Sequence, residues 1–380
     1  MLASKVSNLK PILESAGGVH VTAYFENRGD IKDFKEQIRA SIHRAQEHIT
    51  VVMNIQEQLA FLEPLELLYR DTNDLTKIEG SFGVFLKKDF FFSLNIPLRV
   101  NHTCQVATSF HIKPVLQWLQ ADEEFLLLGV DQDTVYLARG SQFSSKIVDS
   151  VSLQKPDSKE ASSSINTTQG ELNFARVGEL ATISWLRNCL FEITTDLKPK
   201  MYLAGNRPIL ELLKGSCFYD RVVKEAISES FSLDKIGSIC ASIREIQRTE
   251  SSSFIERSIG EFRAAEERYR TRTNVFQIAK AVVQGRVRKL AIAEEVSVFG
   301  KMDRKTGSLA LHPFDLDHED DDVLDDLAQM VLLQGGDVIV VPQIEIPNRR
   351  PILAIVDHVG QSHDAAKEKY EHYKIIGKRA

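Results

Sequence analysis

The residues of this chain best suited by type and spacing to do chemistry form the run Asp315-Leu-Asp-His-Glu-Asp-Asp-Asp-Val-Leu-Asp-Asp326. Carboxylates at this density can hold a hard divalent cation, and Asp315, Asp317, Glu319 and Asp321 would be the ligands of such a site for phosphoryl chemistry. The same run also suits the start of a helix. Acids in a first turn complement the positive end of the helix dipole and accept from its free amides. Val323, Leu324, Leu327, Met330 and Val331 would supply the buried face, and Gly335-Gly336 the stop. The helix reading is preferred, and it predicts Asp320 to Asp322 at the first turn with their carboxylates in solvent or on backbone amides.

Two basic groups stand out. Arg257, Arg263, Arg268, Arg270 and Arg272 are interspersed with Glu256, Glu261, Glu266 and Glu267, so they are expected to pair along a helix surface. Arg286, Arg288 and Lys289, with Arg349, Arg350 and the basic residues of 360–380, have fewer acidic neighbours and are the candidates for contact with RNA phosphate. The net charge of -6 argues against a protein that coats DNA, yet a local basic face is compatible with it.

Other familiar chemistry is missing from the sequence. It holds no phosphate loop, no dinucleotide-binding glycine fingerprint, no H-E-x-x-H and no G-x-S-x-G, which disfavours an NTPase, a Rossmann oxidoreductase and a zincin. The ten histidines are scattered without ligand spacing. Cys104, Cys189, Cys217 and Cys240 form no close pair, so reduced thiols are a better reading than a zinc site. No cofactor is expected.

These groups need elements to position them, and 380 residues suffice for two or three domains. The apolar runs are far shorter than the ~20 residues of a membrane-spanning helix. The N-terminus lacks the apolar centre of a secretory signal, so a cytoplasmic location is expected. Val19–Phe25 alternates as a strand, and Ile31, Phe34, Ile38, Ile42, Ala45 and Ile49 recur at helical spacing behind the N-cap Asp30. Ser81–Leu86 and Phe90–Ile96 read as paired strands, with Phe90-Phe91-Phe92 as core rather than a stacking platform for bases. A helix follows at Lys113–Leu119.

From Asp122 on, Phe125–Val130 and Thr134–Ala138 form a hairpin around a polar turn. The polar stretch Lys155–Gly170 is expected to be mobile, because it has little apolar surface to offset the entropy of ordering. A helix over 172–190, the buried strand Lys200–Gly205, and helices over Asp220–Ser228 and Asp234–Thr249 complete a central domain with a mainly parallel sheet. A charged helical stretch, Phe254–Gly285, breaks near Thr271–Thr273. It leads to strands at Lys289–Ala293, Asp337–Val341 and Ile352–Val356. The fold class is α/β, with an N-terminal domain over 1–120, a central domain over 121–255, a C-terminal domain with its connecting helix over 256–359, and a basic tail over 360–380.

In this order of elements the chain resembles a bacterial relative of the archaeo-eukaryotic class-1 peptide-release factors and of Pelota, the stalled-ribosome rescue factor. The likeness covers about residues 122–358. It rests on Leu127-Leu-Gly-Val-Asp131, Lys200-Met-Tyr-Leu-Ala-Gly205, Val282-Val-Gln-Gly-Arg-Val287 before Leu290-Ala-Ile-Ala293, Asp325-Asp-Leu-Ala328, and Gly335-Gly-Asp-Val-Ile-Val-Val341. Residues 1–120 are similar to the divergent N-terminal half of the bacterial group, with His111-Ile-Lys-Pro-Val115 at its end. The resemblance implies a ribonuclease-H-like central domain and a C-terminal domain similar to kink-turn-binding ribosomal proteins.

In release factors a Gly-Gly-Gln loop of the central domain helps water attack the peptidyl ester. Here Thr167-Thr168-Gln169 stands in the corresponding loop. Glycine reaches backbone conformations closed to a Cβ-branched residue, so Gln169 is only a weak catalytic candidate. Two functions follow. The preferred one is a non-catalytic translation or ribosome-associated factor whose partner is the ribosome or a structured RNA, with room for a protein partner and no membrane. The alternative is a peptidyl-tRNA esterase or nuclease-type hydrolase using Gln169 or the acidic run.

Overall fold

A computed structural model of the chain describes residues 9–71, 79–121, 124–131, 134–152, 183–191, 198–205, 219–223, 227, 231–313 and 320–357. They form two units. One joins the residues up to Ala121 with those from Ser251 on, and the other holds Asp122–Glu250. Gln169, Asp315, Asp317, Glu319, the stretch Lys155–Gly170 and the basic tail all lie outside the described residues.

In the first unit, β1 (Ala16–Glu26), β2 (Ser81–Lys87), β3 (Phe90–Ile96) and β4 (Thr103–Ser109) make an antiparallel sheet in the order β3-β2-β1-β4. The helix Ile31–Ile49 starts where Asp30 accepts from the Lys32 amide. Its predicted stripe Phe34, Ile38, Ile42, Ala45 and Ile49 is buried against one face of the sheet together with Phe61, Leu62 and Leu65. Those last residues belong to Ile55–Arg70, a helix begun by a capping box between Asn54 and Glu57. The phenylalanine triplet departs from expectation. Strand β3 is at the sheet edge, Phe91 is 43% exposed, and only Phe90 and Phe92 lean inward, onto Phe110 and Phe85.

The second unit has β5 (Phe125–Asp131), β6 (Thr134–Gly140), β7 (Ser145–Ser152) and β8 (Lys200–Gly205) in the order β7-β6-β5-β8. The first three strands are antiparallel neighbours, and β8 runs parallel to β5. The described sheet is therefore mixed rather than mainly parallel. Val222 and Ile227 make parallel bridges to Met201 and Ala204, so the helix expected over Asp220–Ser228 gives way to extended pairing at these two positions. Both faces of β5 and β8 are covered, which accounts for their unbroken apolar runs. Leu126, Leu128, Met201 and Leu203 meet Ile183, Leu186 and Leu190 of the helical residues 183–191, while Phe125, Leu127 and Tyr202 meet Ile239, Cys240 and Ile243. Gly129 is required here: a Cβ would lie 2.2 Å from the Phe231 ring.

Ile239, Cys240 and Ile243 belong to the helix Ile236–Glu267, which is continuous through 255. The apolar pattern predicts two helical stretches instead, Asp234–Thr249 and Phe254–Gly285. Its later residues Ile259, Phe262 and Ala265 pack within the first unit, on Ala291, Ile339 and Leu353. That sheet contains β9 (Thr271–Arg272), β10 (Val287–Ala293), β14 (Asp337–Val341) and β15 (Ile352–Val356) in the order β14-β10-β15-β9. Between β10 and β14 the chain forms a small sheet of β11 (Phe299–Met302), β12 (Leu309–Leu311) and β13 (Asp321–Asp322), and then the helix Val323–Leu333. Among the described residues no helix is long and apolar enough to cross a membrane.

Candidate functional site

Asp320 to Asp322 lie at the start of the helix Val323–Leu333, where Asp322 is the N-cap and accepts from the Leu324 amide. The helix start was legible, but its surroundings were not. Asp320, Asp321, Asp322, Asp325 and Asp326 are all buried, because the segment from β4 to the helix Lys113–Ala121 lies over them. Asp321 Oδ1 accepts from the amides of Thr108, at 2.7 Å, and Ser109, at 3.1 Å, and its Oδ2 accepts from the Thr108 hydroxyl. His111 Nδ1 contacts Asp325 Oδ2. Lys113 Nζ donates to Asp322 Oδ2 and to the Val296 carbonyl, each at 2.8 Å. Arg304 donates to Asp326 at 2.5 Å.

Further amides extend this junction. Gln329 Nε2 donates to the Phe110 carbonyl at 2.6 Å. Gln120 both donates to the Val340 carbonyl, at 3.0 Å, and accepts from its amide, at 2.9 Å. Its side-chain amide thereby covers the edge of β14, much as another strand would. Burial, reinforced by the charge of Asp326, pushes the Asp321 carboxyl up to about 7, against the opposing pull of the Thr108 and Ser109 donors. Burial likewise raises Asp326, while Arg304 opposes it. Tyr24, whose hydroxyl donates to the His111 carbonyl at 2.5 Å, is raised by burial and by the charge of Asp325.

One set of metal-type ligands exists among the described residues: His111, Asp322 and Asp325 bring one donor atom each within 4.8 Å of one another. Its chemistry suits a salt-bridge network better than a metal. Asp322 Oδ1 already accepts from the amides of Val298 and Leu324, and Oδ2 accepts from Lys113. The cation beside this carboxylate is thus the chain's own ammonium. Asp325 Oδ1 and Gln329 Oε1 are buried without a hydrogen-bond partner among the described residues. Asp321 is the single described member of the predicted ligand set, and its oxygens are taken up by Thr108 and Ser109.

The basic candidates divide in an unforeseen way. Lys289 is buried, with its ammonium on Ser258 Oγ at 3.1 Å and on Glu261 at 3.2 Å. Arg350 reaches Glu266 at 3.3 Å. Glu261 and Glu266 of the long helix therefore serve partners on the sheet side, while Glu245 pairs with Arg248 on the helix itself, at 3.6 Å. Arg286 is held by neutral acceptors: Nη2 donates to the Asp357 carbonyl at 3.0 Å and Nη1 to Gln284 Oε1 at 3.1 Å. Arg288 and Arg349 are exposed and form no salt bridge among the described residues. Sequence reasoning missed Thr108, Ser109, His111, Lys113 and Arg304 as partners of the acids. The available signal was the pair of polar residues His111 and Lys113 in the otherwise apolar stretch Phe110–Val115.

No family model matches this sequence, and no curated protein sequence matches it. Solved structures do match along much of the chain. An archaeal translation termination factor, aRF1, is 13% identical over 94% of this chain and 98% of its own, with a TM-score of 0.25. Ribosome-bound archaeal Pelota, in a model with ABCE1, is 12% identical over 73% and 77%, with a TM-score of 0.37. Dom34 of S. cerevisiae, described as a translation termination-like factor, is 10% identical over 74% and 80%, with a TM-score of 0.39. At these scores the likeness carries no residue roles, and a functional reading must rest on the chain's own side chains.

Proposed function

We propose that this chain is a ribosome- or translation-associated factor of the release and rescue type that acts by binding rather than by hydrolysis. The observation that carries the reading is the basic surface where β10 begins. Arg286 is fixed by the neutral acceptors of Asp357 and Gln284, so its charge stays available, and Arg288 beside it is exposed. A guanidinium held in this way meets phosphate at little further entropic cost.

The strand order supports the domain reading implied by the motifs. In the second unit three antiparallel strands are followed by a parallel one, with further parallel bridges at Val222 and Ile227, an arrangement in keeping with a ribonuclease-H-like domain over 121–255. The mixed sheet of β9, β10, β14 and β15 with its helices is in keeping with a C-terminal domain of the kink-turn-binding type over 256–359.

The reading as a non-enzyme rests on two points. Thr167-Thr168 replaces the two glycines that the release loop uses. The acids of 321–326 are engaged by Lys113, Arg304, Thr108 and Ser109, which disfavours the nuclease alternative. Co-sedimentation of the purified protein with ribosomes, alongside a peptidyl-tRNA hydrolysis assay of the wild type and Gln169→Ala, tests both halves. Binding without hydrolysis supports the proposal. Hydrolysis that is lost in the Gln169 variant would replace it by the esterase reading.

A further inference from the structure

The helix Ile236–Glu267 ends in a Schellman turn with an unusual occupant. The Tyr269 amide bonds to the Glu266 carbonyl at 2.9 Å and the Arg270 amide to the Ala265 carbonyl at 2.9 Å, which places Tyr269 at the C′ position. Its φ is +55°, in the left-handed region where glycine is the usual residue and a bulky side chain is strained. The ring gains no packing in return, since Tyr269 is 88% exposed. A fold selected for stability alone would place glycine there.

The neighbours of this ring carry charge. Arg268 and Arg270 flank it, both are exposed, and neither forms a salt bridge among the described residues. The backbone fixes this turn beside the basic start of β10. The Val356 amide bonds to the Arg270 carbonyl at 2.8 Å, and the next amide, Asp357, bonds to the Arg286 carbonyl at 2.9 Å. Two arginine-bearing segments are thus pinned to consecutive residues at the end of β15, with an open aromatic face on one of them.

We infer that Tyr269 is a stacking platform for an unpaired nucleobase of RNA, with Arg268 and Arg270 holding the phosphates on either side. A phenol ring offers a π face to any base, and guanidinium groups bind the backbone regardless of sequence, so the site would take single-stranded RNA with little base preference. The inference rests on the RNA-binding part of the proposed function and adds to it a contact and a class of ligand, an unpaired strand.

The strain at Tyr269 makes the test sharp, because removing the ring should move stability and binding in opposite directions. Tyr269→Gly deletes the platform and relieves the left-handed backbone. Binding of a labelled mixed-sequence single-stranded oligoribonucleotide, followed by fluorescence anisotropy at low salt, should weaken roughly tenfold in this variant, from the loss of one base stack. Its thermal midpoint should equal or exceed that of the wild type, and Tyr269→Phe should bind as the wild type does. Oligonucleotide binding by Tyr269→Gly equal to the wild type, or no binding by the wild type, overturns the inference. Ribosome co-sedimentation run in parallel separates the two claims: if it persists while the oligonucleotide is not bound, only the stacking site fails, and if both are absent, the RNA-binding function fails as well.

Discussion

Lys113 Nζ lies 2.8 Å from Asp322 Oδ2, the two side chains are almost wholly buried, and 209 positions of sequence separate them. The pair joins the end of the N-terminal segment to the start of the helix Val323–Leu333. Asp322 also caps that helix and accepts from the Val298 amide, so a single carboxylate fixes a loop, a helix start and a distant lysine.

Lys113→Met should accordingly be severely destabilising. It leaves Asp322 buried beside an apolar side chain, and breaking a buried pair from one side typically costs ~3–5 kcal/mol. The double variant Lys113→Met, Asp322→Asn keeps the capping oxygen and removes the charge, so it should be more stable than Lys113→Met alone. Urea unfolding of both variants checks this, and a double variant no better than the single one would argue against a charge-based role.

Asp321 should make stability depend on pH. Its carboxyl is raised to about 7 in the folded chain. An unfolded aspartate titrates near ~3.9. The folded state therefore holds this proton more tightly than the unfolded one, and the stabilisation is complete below the unfolded value and lost as pH rises through the folded one. Asp321→Asn removes the titration and can still accept from Thr108 and Ser109. The stability of this variant relative to the wild type should improve between acidic and mildly alkaline buffer, by a few kcal/mol on the order of magnitude set by the shift. A difference that is the same at both ends would contradict it.

Much of this architecture was legible. The stripe from Ile31 to Ile49, the hairpin of β5 and β6, and the strands β8, β10, β14 and β15 stand where the apolar pattern puts them, because their burial is set by local periodicity. Strand β4, by contrast, was not recognised: its Thr103-Cys-Gln-Val-Ala-Thr-Ser109 has mixed character, and it is placed by pairing with β1. The acidic run gave away its helix start through composition, but nothing local to it named Thr108, His111 or Lys113. The charge map was misleading for the same reason. Spacing along the helix predicts arginine partners for Glu261 and Glu266, whereas tertiary packing hands them to Lys289 and Arg350.

Gly129 offers a test of the second unit's core. An added Cβ would stand 2.2 Å from the Phe231 ring, so Gly129→Ala must displace a buried aromatic side chain. Overpacking of this kind costs ~1–3 kcal/mol. Thermal unfolding of the variant should show a clear loss of stability, and pairing it with Phe231→Leu should recover part of it. An unchanged midpoint in Gly129→Ala would mean that the ring has free space to retreat into.

The central claim, association with RNA through the basic surface at the start of β10, is tested most directly by the salt dependence of ribosome binding. The logarithm of the affinity should fall linearly with the logarithm of salt concentration, with a slope of about 0.9 for each phosphate neutralised. Replacing Arg286 and Arg288 by Glu should weaken binding and make that slope shallower by about two such contacts. The same change at Arg263, which lies on the long helix and not at the start of β10, should do little. Equal losses at both places, or a slope unaltered by the double replacement, would contradict the account.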